Sequence, residues 1–201
     1  MKKIFQSTAT IALIALLFAA CNNGSNDKSA NADTAKAATE AVKTGAETPA
    51  TSSNAQLTVS MAEIVKGYLA VKNALTTDKT KDAALAATTL ETTFKSFNKA
   101  TLSAEQKKVF EDVEDDAREH AEHIGSNGGN IEHQREHFDT LSKDIYALIK
   151  AFGAGQQIYQ DFCPMYNDKK GAIWLSETKD IKNPYYGKKM LSCGSMKEEL
   201  K

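Results

Sequence analysis

Two short segments near the C-terminus, Cys163-Pro164-Met165 and Met190-Leu191-Ser192-Cys193-Gly194, each set a cysteine beside a methionine, in mirror order. Thiolate and thioether sulfurs are soft ligands that select monovalent copper, and by extension silver, over hard ions that prefer oxygen. Zinc suits the set less well, because thioethers bind it weakly and tetrahedral zinc sites favour Cys and His. Trp174, Tyr185 and Tyr186 lie between the two segments and supply apolar cover that would keep water from such a site. The same two cysteines are equally a disulfide candidate. Closing a loop of about 30 residues would contribute roughly 3 to 4 kcal/mol in the chain-entropy description. Residue types alone leave these readings level, and Met165 and Met190 are by default gap-filling core residues.

The four histidines fall in two pairs at helical spacing, His120 with His123 and His133 with His137, on either side of Gly125-Ser126-Asn127-Gly128-Gly129-Asn130. On a helical wheel His120 and His137 lie roughly 60° from the centre of their apolar stripes, while His123 and His133 point further toward solvent. Their distances from the glycine loop allow His120 and His137 to approach each other in a helical hairpin without fixing that they meet. If the C-terminal segment packs there, His137 would complete a sulfur–nitrogen site. The plainer reading is a solvated, charged face, since Asp115, Asp116 and Glu119 crowd the same helix.

No other constellation suggests catalysis. The chain has no phosphate-cradling glycine loop and no serine nucleophile elbow, and Gly128-Gly129 lacks a preceding strand. The expectation is a protein that is not an enzyme. A net charge of -1, from 25 basic and 26 acidic residues, gives no bulk attraction to nucleic acid, so no nucleic-acid partner is expected.

The N-terminus says where this chemistry would take place. Lys2 and Lys3 precede an apolar run from Thr10 to Ala20, of signal-peptide length and too short to span a bilayer. The run ends in Leu17-Phe18-Ala19-Ala20-Cys21, which resembles a lipobox, with Phe18 standing where that pattern prefers Leu. Residues 1–20 are therefore expected to be a lipoprotein signal peptide and Cys21 the lipidated residue. That predicts a membrane partner through the anchor and a place in the cell envelope, on the periplasmic or outer-membrane face. From Cys21 to Ala55 the chain is rich in Ala, Thr, Ser, Asn and Lys and nearly devoid of large apolar residues, which predicts a disordered tether with a span on the order of 30 Å.

What must position the chemistry begins at Gln56. Met61, Ile64, Val65, Tyr68, Val71 and Leu75 form one helical stripe, which Asp78 closes. Ala83, Ala87, Leu90, Phe94 and Phe97 form a second. Ser103 with Gln106 makes a capping box before a third, through Phe110, Val113, Ala117, Ala121 and Ile124. Phe138, Leu141, Ile145, Leu148 and Ile149 mark a fourth, from about Ile131 to Phe152, with Gly153 ending it. The expected fold is all-α, an antiparallel up-down four-helix bundle over 56–155. A small C-terminal appendage over 156–201 would carry a β-hairpin, Ile158 to Phe162 and Ala172 to Leu175, around Asn167 to Gly171. Too few apolar residues follow Gly155 for a separate core, so the appendage must pack on the bundle or be stapled.

Ile131 to Ser142, Tyr159 to Met165, Trp174-Leu175-Ser176, Asn183-Pro184-Tyr185-Tyr186-Gly187 and Met190 to Gly194 together resemble the bacterial domain of unknown function thirty-three forty-seven, over roughly Val59 to the C-terminus. Domains of that family occur as small exported proteins and as extensions of periplasmic adaptors of heavy-metal efflux systems. The resemblance thus implies handling of Cu(I) or Ag(I), and a periplasmic efflux adaptor as partner. Short heavy-metal modules with a Cys-Pro-Met core usually carry His next, whereas Tyr166 stands here. With the resemblance, metal is favoured over the disulfide. The expected ligands are Cys163, Met165, Met190, Cys193 and His137, with Arg135 or Gln134 orienting the helical side. An interaction module stapled by a Cys163–Cys193 disulfide remains the alternative, and a metal-assisted enzyme using the histidines is the weakest reading.

Overall fold

A computed structural model describes residues 50–201, with side chains from Met61 onward. The expected signal peptide, the lipidation site Cys21 and most of the expected tether lie outside the described residues. The chain is mostly helical, with a small antiparallel sheet of three strands at its C-terminal end. Helix α1 (Ala50–Thr76) begins ahead of the expected bundle boundary at residue 56, and α2 (Thr80–Lys95), α3 (Ala104–Ser126) and α4 (Ile131–Phe152) follow. Among the described residues no helix is long and apolar enough to cross a membrane.

The local reasons for these boundaries are chemical. The Ser103 hydroxyl accepts from the Gln106 amide at 3.2 Å and the Gln106 side chain accepts from the Ser103 amide at 3.1 Å, so two orphan donors of α3 are satisfied. Asn130 caps α4 by accepting from the His133 amide at 3.2 Å. At the other end Gly153 takes a φ of 78°, a left-handed conformation that costs glycine little. The apolar stripes face inward, and α3 packs along α4, α1 along α2, and α2 along α3.

Strand β1 (Ile158–Cys163) is central, flanked antiparallel by β2 (Ala172–Ser176) and β3 (Ser195–Leu200). The expected hairpin is present, with Cys163 opposite Ala172. The turn between its strands, α5 (Tyr166–Lys169), holds Asn167, Asp168 and Lys169 at positive φ, which Asn and Asp tolerate best. The third strand is a correction to the all-α expectation. Ser195-Met196-Lys197-Glu198-Glu199-Leu200 has no β-branched or aromatic residue to announce a strand, and its Lys and Glu suit a solvent-facing edge.

The sheet has no core of its own. Trp174, Leu175, Tyr185 and Leu200 join the buried cluster that holds Tyr68, Phe138 and Ile145, and β2 packs on α1 and α4. Tyr68 fastens the two parts. Its ring stacks on Phe138 at 5.2 Å, its hydroxyl shares a 2.8 Å hydrogen bond with Ser142, and it accepts from the Leu175 amide at 3.0 Å. Lys72, almost fully buried, reaches from α1 to Glu177 at 2.6 Å.

Candidate metal centres

Cys163 ends the central strand, fully buried, and Cys193 lies in the loop that leads into β3. Both are free cysteines, and their Sγ atoms stand 3.6 Å apart. Burial, together with the neighbouring Cys163 thiol, pushes the Cys193 thiol above its ordinary value. Cys193 therefore keeps its proton more tightly than a free thiol does.

The loop that delivers Cys193 is organised by Asn183, a residue that sequence reasoning passed over. Fully buried, it donates from Nδ2 to the Cys193 carbonyl at 2.6 Å, and its Oδ1 accepts from the Tyr185 and Tyr186 amides at 2.8 and 3.1 Å. The Asn-Pro dipeptide at 183–184 is the signal that could have found it, since Asn before Pro favours a turn. Gly194 allows the loop to close on the sheet, because a Cβ there would lie 2.6 Å from Trp174 Cη2. Arg135 holds the same loop from α4, donating from Nε to the Pro184 carbonyl at 2.8 Å and from Nη2 to Leu75 O at 3.2 Å and Asp78 at 2.6 Å. Gln134 instead bonds the carbonyls of Thr80 and Ile124, away from the sulfurs.

The thioethers are placed differently. Met165 is 46% exposed and borders a cleft of about 660 Å³ with Tyr166, Tyr185, Tyr186, Arg135 and Lys189. Tyr186 donates to the Met165 carbonyl at 3.0 Å, and both thiols, after burial, help to raise its hydroxyl pKa. Met190 is half-buried, and its carbonyl accepts from the Cys193 amide at 3.1 Å. Trp174 and Tyr185 meet edge to face at 6.2 Å, and Trp174 lies against Gly194, next to Cys193.

His137 sits with the other histidines rather than with the sulfurs. His120 and His137 do meet, Nδ1 to Nδ1 at 2.8 Å. The ring of His123 stacks on His137 at 4.2 Å, and His133 approaches it edge-on at 4.5 Å. Potential ligand atoms of His123, His133 and His137 lie within 4.8 Å of one another, and those of Asp116, His120 and Asp144 form an adjoining group. Burial and then the charges of the three neighbouring imidazoles lower the pKa of His137 to about 4, so it is neutral at pH 7. Asp144 is buried with Oδ2 unpartnered, and desolvation raises its pKa to about 7.

Residues 64–157 match the family described as a protein of unknown function (DUF3347). The matched span takes in the histidine cluster and Arg135 and stops before β1, so the cysteine segments lie beyond it. No curated protein and no solved structure matches the chain.

Proposed function

We propose, on the premise that residues 64–157 form a domain of the DUF3347 family, that this protein is an exported lipoprotein that binds Cu(I) or Ag(I). It would sequester the ion or hand it to a periplasmic efflux adaptor. The observation that carries the reading is the 3.6 Å between two free sulfurs held on different segments. Bonds of about 2.3 Å to one ion would place two sulfurs roughly 3.7 to 4.6 Å apart as the angle opens from tetrahedral to linear, close to what the pair already has. A disulfide requires about 2.05 Å, a much larger approach.

Cys163 and Cys193 are the ligands, with Met165, at the exposed cleft, and Met190 as soft, exchangeable partners. Lipidated Cys21 would keep the domain at its membrane, and the helices, with their short connections, would form an antiparallel up-down bundle as scaffold. The role is binding and transfer rather than catalysis. The buried position of Cys163 and its facing sulfur also favour, as a second reading, a disulfide-stapled interaction module. A Cu(I) competition titration of the full chain, with a thiol count before reduction and a parallel titration of Cys163→Ser, separates the two. Tight binding from free thiols that is lost in the variant supports the metal reading. Thiols that appear only after reductant, with no binding before it, overturn that reading in favour of the staple.

A further inference from the structure

All four histidines of the chain converge on one patch between the end of α3 and the start of α4. Each of three has a carboxylate at hand: His120 Nε2 lies 3.4 Å from Asp116, His123 Nε2 3.8 Å from Glu119 and His133 Nδ1 3.6 Å from Glu136. His137 has no such contact and sits at the centre, against the other three rings. Nearby, the buried Asp144 adds an unpartnered carboxylate oxygen beside His120. Imidazole nitrogens converging within 4.8 Å inside a ring of carboxylates offer a cation its ligands and their supporting partners.

We propose that His123, His133 and His137 form a metal site for a borderline divalent cation of the Zn(II) class, and that His120 positions the ring of His137. Imidazole nitrogen suits such ions, whereas the sulfur pair suits monovalent ones, so the two sites differ in the ions they select. The proposal does not rest on the sulfur site.

The tautomers follow from the contacts. Asp116 beside Nε2 of His120 favours the proton there, leaving Nδ1 of His120 as acceptor. His137 then donates from its own Nδ1 across the 2.8 Å contact, and its Nε2 keeps a free lone pair. Partners of this kind orient metal-bound histidines generally. One rearrangement is required. The rings of His123 and His137 are stacked with only 4° between their planes, and one ion cannot lie in both planes. His123, whose side chain is 44% exposed, is the ring with room to turn.

The experiment is equilibrium dialysis of Zn(II) at pH 7.5 against the full chain carrying Cys163→Ser and Cys193→Ser, which removes the thiols. The expected result is one ion per chain. Adding His123→Ala or His133→Ala weakens binding by at least ~100-fold, and His120→Ala weakens it by ~10-fold, the range for lost supporting partners. His120→Gln, which can still accept from Nδ1 of His137, restores most of that loss. Imidazole nitrogen spectra should show Nε2 of His137 shifting on metal addition while its Nδ1 stays protonated. Helical circular dichroism confirms that each variant is folded. Absence of binding in the folded thiol-free protein overturns the site, and so does binding that survives in both alanine variants. Failure of the Cu(I) titration with success here would overturn only the sulfur reading.

Discussion

The two donor clusters sit on opposite kinds of support. The thiols are brought together by tertiary structure: Cys163 is locked in the central strand, and the loop of Cys193 is held internally by Asn183, closed on Trp174 at Gly194 and tied to α4 by Arg135. The histidines are fixed by helical spacing on α3 and α4 and by the packing of these two sequence-adjacent helices, with partly exposed rings that have room to move. A cluster set by helix periodicity survives small losses of stability. One assembled by long-range contacts does not, because every contact that positions it is also a contact of the fold. Damage to the fold should therefore reach the sulfurs first.

The largest effect expected is on ligand identity. Cys163→Ser should weaken Cu(I) binding by more than the roughly 100-fold that losing a supporting partner alone costs. His133→Ala should leave it within a few-fold, measured by competition with a chelator. Comparable losses in both variants would mean one composite site and end the contrast.

Next comes Arg135, which belongs physically to the histidine helix but serves the sulfur loop. Its guanidinium is buried and pairs with Asp78, whose carboxyl pKa falls because, against burial, the hydrogen bonds from Arg135 and the Lys188 amide and the charges of both residues together prevail. Arg135→Met leaves Asp78 and the carbonyls of Pro184 and Leu75 without their donor and should cost about 3 kcal/mol in a denaturant titration. Protection of the Cys193 amide from hydrogen exchange should fall further than that of amides in α3. An equal fall in both would show that the loop is no more dependent on long-range contacts than the helices are.

The sheet carries a pH dependence of its own, beside the one that the buried Asp144 gives the helical patch. Asp161 on β1 is fully buried with both oxygens unpartnered, and desolvation raises its pKa to about 7, with only Lys72 opposing. An unfolded Asp titrates near 3.9, so between about pH 4 and pH 7 the folded state holds the extra proton. Stability should then fall as pH rises across that window and level off above it. Asp161→Asn removes its share of this slope, leaving that of Asp144, and should exceed the parent by about 2 kcal/mol at pH 8, a value discounted because the amide also lacks partners. Parallel melting curves for the two proteins from pH 5 to pH 8 would contradict it.

How far the sequence foretold these regions follows the same division. The helices, the Ser103 box and the Gly153 stop were legible because a 3.6-residue period and its caps are local signals. So was the approach of His120 to His137, from their heights above the glycine loop. The closeness of His123 and His133 to His137 was not, because a wheel drawn for one helix places them toward solvent and takes no account of the neighbouring helix. In the sheet, the hairpin could be read from Trp174 and its flanking apolar residues. Strand β3 and the burial of Asp161 could not, since each depends on segments far away in the chain, whereas Asn183 was readable only through its dipeptide with Pro184. Placing His137 with the sulfurs rested on where the appendage would pack, and that too is information no local pattern holds.

The smallest effect tests whether the histidine site depends on its helix alone. Asn130 caps α4 through the amide of His133 itself, so one side chain joins the helix start to a proposed ligand. Asn130→Ala should cost about 1 kcal/mol of stability, in the range for a lost N-cap. The fraying it causes is confined to the first turn of α4, which carries His133, while His137 lies one turn deeper against His120. Zn(II) affinity in the thiol-free protein should fall by up to ~5-fold, as about 1 kcal/mol allows. Cu(I) affinity of the parent thiols should not change, because no contact of Asn183, Gly194 or Arg135 passes through that turn's cap. A drop in Cu(I) affinity to match would show that α4 couples the two clusters, and the separation argued from their supports would have to be abandoned.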